Sequence, residues 1–191
     1  TRKESSAASD VYKRQVGLML DCARRISESD RRLRRERGFS REDLMGSELC
    51  GKTLGLVGIG EIGTRVARIA QALGMQVLAH DPLLSAEQIG QRGAASCTLQ
   101  SLLQHSDVVS MHCPRLASTL NLMNASAFAA MRKGAVFINT ARGGLHDEAA
   151  LYDTLACGHL GAAGIDVWDQ EPPALDHPLL GLENVVGLYH T

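Results

Sequence analysis

A glycine-rich turn between two apolar runs constrains the fold of this chain more than any other feature. Its three glycines have the spacing G-x-G-x-x-G: Gly58, Gly60 and Gly63. The apolar run 53–57 precedes them, an amphipathic segment covers 62–73, and a second apolar run, 76–80, ends directly before Asp81. This order is typical of a strand, a tight turn, a helix and a second strand that ends at a carboxylate. It predicts a Rossmann-type unit that binds a dinucleotide.

The rest of the chain continues the alternation of strands and helices. The further predicted strands are 94–97, 108–112, 135–139, 163–167 and 185–188. The further predicted helices are 16–37, 85–91, 99–104, 125–131 and 147–157. Nearly continuous apolar strands between amphipathic helices indicate a parallel sheet that is covered on both faces. The predicted fold class is therefore α/β, a Rossmann-type doubly wound parallel sheet, with residues 16–191 in one domain.

Dinucleotide binding explains why these residue types stand in the glycine-rich turn. Gly58 allows the sharp turn, Gly60 lets the backbone approach a pyrophosphate, and Gly63 lets the helix pack close to the strand. The pyrophosphate would lie at the helix N-terminus, where amides are free and the dipole is positive. Asp81 would accept hydrogen bonds from the adenosine ribose and repel a 2′-phosphate, which predicts NAD(H) rather than NADP(H). The alternative is a structural glycine turn with an unrelated aspartate.

Composition excludes several classes of function. The net charge of the 191 residues is −1, which argues against general nucleic-acid binding. The arginine-rich stretch 31–37 contains Glu36 and follows Glu28 and Asp30, as at a solvated helix end. No apolar run approaches the roughly 18 residues of a membrane span, and no secretory signal is visible. We expect neither a nucleic-acid nor a membrane partner.

Cysteine and histidine spacings predict neither disulfides nor a metal site. The five cysteines are scattered without a C-x-x-C pair, which favours reduced thiols in a cytoplasmic protein. Cys113 follows a predicted strand, but no neighbour in sequence would activate it as a nucleophile. Most histidines share no ligand-like spacing, whereas His112 ends a strand and either lines the cofactor cleft or packs in the core.

Both ends of the chain call for separate interpretation. The run 5–15 is similar to one reading frame of a transposase-type sequencing-library adapter, so residues 1–15 are expected not to be native. A polar native tail is the alternative. At the other end the chain stops at Thr191, one residue after His190, which is a candidate catalytic residue described below. The chain is therefore expected to be an internal piece of a longer protein.

Three later residues predict a reaction centre beside the cofactor. Arg142 follows the strand 135–139, Glu171 follows the strand 163–167, and His190 follows the last strand. Ligands of open α/β sheets bind beyond the carboxyl ends of the strands, where all three lie. An arginine can hold a carboxylate with two parallel hydrogen bonds, and a histidine is suited to proton transfer at neutral pH. A carboxylate beside the imidazole would fix its tautomer and favour its charged form.

These motifs together resemble those of the D-isomer-specific 2-hydroxyacid dehydrogenase family. The segments that carry the resemblance are 54–63, 80–82, 111–114, 139–144, 147–151 and 164–173. The resemblance implies a two-domain subunit in which this chain is the NAD-binding domain and most of the substrate domain is missing. It also implies a homodimer and a catalytic set formed by Arg142, Glu171 and His190.

The resemblance further implies which residues contact the cofactor. Asp166 matches the family aspartate near the nicotinamide carboxamide, and Thr140–Arg142 match a stretch of backbone that faces the cofactor. The full set of expected cofactor contacts is Gly58, Gly60, Glu61, Ile62, Gly63, Asp81, His112, Cys113, Pro114, Thr140, Ala141, Arg142 and Asp166. No metal ligand is expected.

The sequence departs from the family pattern at three positions. Leu188 and Tyr189 lead into His190, where a proline is usual before the histidine. Glu61 stands where a basic or neutral residue is common, and Arg115 replaces a residue that is usually apolar. Glu171 itself speaks against the formate dehydrogenase branch, which the family pattern associates with glutamine there.

The expected function is the interconversion of a small 2-oxo acid and its D-2-hydroxy acid by hydride transfer with NAD. A non-catalytic NAD(H)-sensing protein of the corepressor type is the alternative on the same fold, and an unrelated Rossmann enzyme is a third. The residues present do not identify the acid, because the groups that select it are expected mostly outside this chain.

Overall fold

Seven strands form one parallel sheet in the computed structural model, which describes residues 2–38 and 40–190. They are β1 (Thr53–Val57), β2 (Gln76–His80), β3 (Ala95–Ser96), β4 (Val108–Met111), β5 (Val136–Asn139), β6 (Ala162–Ile165) and β7 (Val185–Gly187). Their order in the sheet is β3-β2-β1-β4-β5-β6-β7, and every pairing is parallel. The predicted α/β class is confirmed.

Helices cover both faces of the sheet. They are α1 (Arg2–Arg24), α2 (Ile26–Arg35), α3 (Glu61–Ala72), α4 (Ala86–Gln91), α5 (Leu99–His105), α6 (Ala125–Ala130) and α7 (Glu148–Ala156). Side chains of α1, α3 and α4 build one apolar core, and those of α5, α6 and α7 build the other. Short 3₁₀ turns lie at Glu42–Leu44 and Pro178–Gly181. None of the helices in the described ranges has both the length and the apolar character to cross a bilayer.

The helix predicted over 16–37 is two helices. Arg25, between α1 and α2, has the left-handed backbone angle φ = +54°. The Asp21 carboxylate accepts a hydrogen bond from the Ser27 backbone amide at 2.7 Å, so a side chain of α1 satisfies an amide at the start of α2. The spacing of apolar residues carries no signal for this break, because polar contacts produce it.

The crossover in strand order places a crevice at the carboxyl end of β1. The chain runs outward from β1 to β2 and β3, then returns to place β4 on the other side of β1. Backbone hydrogen bonds join the strand ends there: the Gly58 amide donates to the His80 carbonyl at 2.8 Å, and the His112 amide donates to the Val57 carbonyl at 2.8 Å. Ligands of doubly wound sheets bind at such a point.

Candidate active site

The glycine-rich turn between β1 and α3 is shaped by close backbone contacts. Gly58 has φ = +91°, and a Cβ atom there would lie 2.9 Å from the His112 carbonyl carbon. A Cβ atom on Gly63 would lie 3.0 Å from the Gly58 carbonyl oxygen. Gly60, in contrast, has nothing within 4 Å of its Cβ position. The first and third glycines therefore allow close packing, and the second leaves open space at the start of α3.

The N-terminus of α3 is available to an anion. Its N-cap residue is Gly60, which supplies no side-chain cap, so the first amides of the helix remain free. Glu61 begins the helix, but its side chain is exposed and pairs with Arg65, with 2.6 Å between carboxylate and guanidinium. The acid is thereby directed along the helix surface, and its charge is compensated.

Asp81 lies beside the same turn, with its carboxylate fixed by two backbone amides. One oxygen accepts from the Ile59 amide and the other from the Leu83 amide, each at 3.1 Å. A carboxylate oxygen can accept more than one hydrogen bond, so lone pairs remain for hydroxyl groups of a ligand. The arrangement suits a ribose and opposes an added phosphate.

The segment after β4 forms the wall opposite α3. His112 is half-buried, its Nε2 lies 2.8 Å from the Ser110 hydroxyl, and burial lowers the pKa of His112 to about 4. Burial also raises the pKa of the Cys113 thiol, with a further contribution from the charge of Asp81. Cys113 is therefore held as a neutral thiol, which argues against a nucleophilic role. Pro114 follows with its ring exposed.

The segment after β5 is held at Arg142 by the side chain of Asn139. The Asn139 side chain accepts from the Ala141 amide and donates to the Arg142 carbonyl, both at 3.0 Å. The Arg142 guanidinium is exposed and donates to the Ala141 carbonyl at 2.6 Å, with no carboxylate partner in the described part of the chain. The Thr140 hydroxyl is buried without a hydrogen-bond partner among the described residues. The segment thus presents an unpaired cation and an unsatisfied hydroxyl.

Glu171 and His190 form a hydrogen-bonded pair. The His190 Nδ1 lies 2.8 Å and 3.0 Å from the two oxygens of Glu171. The Trp168 amide also donates to Glu171, at 3.1 Å, and the Trp168 indole donates to the Leu188 carbonyl at 2.9 Å. The hydrogen bond from His190 is the main cause that lowers the pKa of Glu171. The carboxylate therefore stays charged and holds the Nδ1 proton, which leaves Nε2 for proton transfer.

Asp166 fixes the backbone at His190. This buried carboxylate accepts from the His190 amide at 2.9 Å with one oxygen and from the Arg14 guanidinium at 2.7 Å with the other. His190 has a left-handed φ of +55°, which turns its side chain back toward Glu171. Leu188 and Tyr189, which replace the usual proline, are thus compatible with the pairing of His190 and Glu171.

The segments after β5 and β6 touch one another, which brings Arg142 to Glu171. A Cβ atom on Gly143 would lie 2.0 Å from the Trp168 carbonyl oxygen, and the Gly144 amide donates to the Asp169 carboxylate at 2.7 Å. The positive charge of Arg142 also contributes to the lowered pKa of Glu171. The three predicted reacting groups follow three different strands, and two of them, Glu171 and His190, are in hydrogen-bond contact.

The sequence model for the family described as "D-isomer specific 2-hydroxyacid dehydrogenase, NAD binding domain" matches residues 16–191. The chain belongs to this family. Family membership confirms the resemblance found in the sequence motifs, the Rossmann-type fold and NAD as the cofactor of the domain. Four features of the crevice fit such a cofactor physically: the glycines of the glycine-rich turn, the free N-terminus of α3, Asp81 and the unsatisfied Thr140 hydroxyl.

Several dehydrogenases and reductases are similar to this family member. D-3-phosphoglycerate dehydrogenase of Archaeoglobus fulgidus is 43% identical over 175 residues, which are 92% of this chain and 33% of the relative. Hydroxypyruvate reductase of Thermotoga maritima is 41% identical over 187 residues, 97% of this chain and 60% of the relative. D-lactate dehydrogenase of Lactobacillus jensenii, solved with NAD⁺, superposes with a TM-score of 0.86 at 30% identity, covering 96% of this chain and 58% of that one. The chain thus spans a third to three fifths of these relatives.

Some groups of the site were not predicted from the sequence. Arg92, from the end of α4, donates to the Ile59 carbonyl at 2.6 Å and so supports the glycine-rich turn. His146 contacts Asn139 with its Nδ1, 3.0 Å from the amide nitrogen. Neither residue belongs to a spacing motif, because each reaches its partner only through the tertiary fold. Within the described ranges, no cluster of three or more His, Cys, Asp or Glu side chains could hold a metal ion.

Proposed function

We propose that the protein containing this domain interconverts a small 2-oxo acid and its D-2-hydroxy acid. The observation that carries the proposal is the contact between Glu171 and His190, with 2.8 Å between the carboxylate and Nδ1, together with the positive charge of Arg142, which helps to lower the pKa of Glu171. The names of the relatives, which include a phosphoglycerate dehydrogenase, a hydroxypyruvate reductase and a lactate dehydrogenase, support this substrate class.

Each reacting group has one role in this proposal. Bound NADH would supply the hydride to C2 of the oxo acid, and bound NAD⁺ would accept it in the reverse direction. Arg142 holds the substrate carboxylate with its planar guanidinium and polarises the adjacent carbonyl. His190 gives the proton to the developing alkoxide from Nε2, while Glu171 stabilises the imidazolium through Nδ1. In the reverse direction His190 removes the hydroxyl proton.

The cofactor contacts in this proposal follow the crevice. Gly60, Glu61 and Ile62 supply backbone at the pyrophosphate, and Asp81 binds the adenosine ribose. The segments 112–114 and 140–142 line the two sides, and Asp166 lies at the nicotinamide end. The position of Asp81 beside the turn favours NAD(H) over NADP(H).

A turnover assay with the full-length protein tests the proposed reaction. NADH oxidation is followed against a panel of small and large 2-oxo acids, with His190→Ala as the loss variant and His105→Ala as the control. His105 is exposed on α5 and bonds only to Ser101 within the described residues. We expect His190→Ala to lower kcat roughly 10²- to 10⁴-fold, as for removal of a general acid. NADH binding without turnover on any acid would favour the sensing protein instead.

We further propose a cytoplasmic homodimer. Three large apolar side chains are exposed on α2 and the segment after it, Ile26 by 57%, Leu33 by 66% and Met45 by 72%. Exposed apolar groups close together in sequence favour an interface with a second copy. All five cysteines are free, as expected for a reducing compartment. Light scattering of the wild type and of Met45→Glu would test the dimer; a monomeric wild type would refute it.

We also propose that the native domain begins at residue 16 and that residues 1–15 derive from an adapter. The family match begins at residue 16. Both polar atoms of the Gln15 side chain are buried without a hydrogen-bond partner among the described residues, which is unfavourable for a native core position. Sequencing the genomic region upstream of codon 16 decides this proposal.

A further inference from the structure

His146 is a buried histidine that the proposed reaction does not use. It lies in the segment between β5 and α7, two positions after Gly144, and its side chain is fully buried. Its ring packs against Phe137, with 5.5 Å between ring centroids. Nδ1 lies 3.0 Å from the Asn139 amide nitrogen, and Nε2 has no partner among the described residues.

The hydrogen bonds of Asn139 determine the tautomer of His146. The Asn139 oxygen must face the Ala141 amide, which can only donate, and its nitrogen must face the Arg142 carbonyl, which can only accept. The second hydrogen on this nitrogen then points to His146. His146 Nδ1 must therefore accept, so the ring is neutral and carries its proton on Nε2.

This hydrogen bond completes the support of the Arg142 segment. Asn139 ends β5, and its side chain spans the turn to the Ala141 amide and the Arg142 carbonyl. Without an acceptor at His146, a buried amide hydrogen of Asn139 would be unsatisfied, and the side chain could rotate to recover a partner. Rotation would release the backbone on both sides of Arg142.

The surroundings keep His146 neutral despite nearby acids. Burial is the main cause that lowers the pKa of His146. The carboxylates of Glu148, Asp169 and Asp147 oppose the shift, and His177 adds to it. Protonation would place a donor on Nδ1 against the donor on Asn139, so the charged ring cannot keep this contact.

We propose that His146 is a positioning residue that fixes Arg142 through Asn139 by accepting a hydrogen bond at Nδ1. The proposal rests on the proposed role of Arg142 in holding the substrate carboxylate. It assigns to His146 a larger effect on the binding of the oxo acid than on the binding of NADH. The contact acts on the backbone beside Arg142, whereas the glycine-rich turn and Asp81, which bind the pyrophosphate and the ribose in the proposed function, make no contact with Asn139 among the described hydrogen bonds.

Two substitutions in the full-length protein separate positioning from packing. His146→Phe keeps an aromatic ring against Phe137 but removes the acceptor. His146→Asn places a carbonyl oxygen near the position of Nδ1 but leaves a cavity. We expect His146→Phe to raise KM for the oxo acid roughly tenfold, the effect of one lost hydrogen bond, with the Kd of NADH within about twofold of wild type. His146→Asn should have a lower Tm yet a KM nearer that of wild type.

Two outcomes would overturn the proposal. The first is a wild-type KM in His146→Phe, and the second is an equal rise of KM in both variants. In an Arg142→Ala background, His146→Phe should reduce kcat/KM no further, because its effect passes through Arg142. A further reduction of the same size as in the wild-type background would also count against it.

A spectroscopic test is independent of turnover. With ¹⁵N-labelled histidine, the ring nitrogens of His146, assigned by their loss in His146→Phe, should show an unprotonated Nδ1 and a protonated Nε2 at pH 7. A protonated Nδ1 would refute the hydrogen bond to Asn139. If wild type turns over no oxo acid but shows the expected tautomer, the proposed function fails while the contact between His146 and Asn139 stands.

Discussion

Two single side chains carry predictions, Asp81 for the proposed cofactor preference and His112 for the response to acid. Asp81 is held by the Ile59 and Leu83 amides, so its carboxylate cannot easily turn away from a 2′-phosphate. His112 is kept neutral by burial, which disfavours its charged form and lowers its pKa. The sequence motif predicted the position of Asp81, but burial of His112 depends on contacts that only the fold creates.

Asp81→Ala should weaken NADH binding about tenfold and leave NADPH binding unchanged or improved. The substitution removes an acceptor for the ribose hydroxyls and also removes the charge that repels a 2′-phosphate. Fluorescence titration with both cofactors measures the two Kd values, with Asp153→Ala on the exposed side of α7 as the control. Equal losses for NADH and NADPH would show that Asp81 does not contact the ribose.

The free energy of unfolding should decrease as the pH falls from about 6.5 toward 4. The pKa of His112 is lowered to about 4 in the folded state and is 6.5 in the unfolded chain. The unfolded state therefore binds more protons between these values, and His112 contributes a loss of at most about 2 kcal/mol between pH 7 and 5. Urea unfolding at both pH values measures the loss, which should be smaller in His112→Gln. An unchanged pH dependence in that variant would contradict the assignment.

Pairs of elements, rather than single residues, bring the reacting groups together. The boundaries of β1 and β2 agree with the prediction because their apolar runs end at glycine and aspartate. The division of the first helix at Arg25 could not be predicted, since it depends on the hydrogen bond from Ser27 to Asp21. The contact between the segments after β5 and β6 could likewise not be predicted from the sequence, because it joins residues far apart in the chain.

Gly143→Ala should separate Arg142 from Glu171 and destabilise the domain. A Cβ atom at this position would lie 2.0 Å from the Trp168 carbonyl oxygen, so one of the two segments must move. We expect a loss of roughly 1–3 kcal/mol in unfolding free energy and a higher KM for the oxo acid. Thermal melting and steady-state kinetics measure both effects.

Gly90→Ala in α4 is the matched control for this prediction. Its Cβ position has nothing within 4 Å, and alanine favours a helix by about 0.5–1 kcal/mol over glycine. The control should melt at the same temperature as wild type or higher. If Gly143→Ala behaved like Gly90→Ala, the close contact with Trp168 would be wrong.

At the scale of the whole molecule, one sheet holds the proposed cofactor-binding groups and the proposed reacting groups at the ends of different strands. The alternation of apolar runs predicted the sheet, and the assignment of these groups to its strand ends stays a prediction. The polar links that run from Gly144 through Asp169 and Glu148 to His177 were not predictable, because each is a long-range contact. They tie the segment of Arg142 to the segment that follows β6.

Gln15→Met should stabilise the chain of 191 residues, although residue 15 is proposed to lie outside the native domain. The Gln15 amide is fully buried and has no hydrogen-bond partner among the described residues, whereas methionine has nearly the same shape without the polar atoms. Removing the unsatisfied amide should add roughly 1–3 kcal/mol to the free energy of unfolding. Chemical denaturation measures the change, and a destabilised Gln15→Met would indicate that the amide is bonded in solution.

The position of His190 has a consequence for how activity is lost. It follows β7, a strand of three residues that, within the described part of the chain, pairs only with β6 at one side of the sheet. Short edge strands open locally at a lower free energy than central strands such as β1. Under mild denaturant, amide exchange should therefore begin in β7, and proton transfer should cease while the glycine-rich turn still binds NADH. Inactivation and unfolding would then be two separate events.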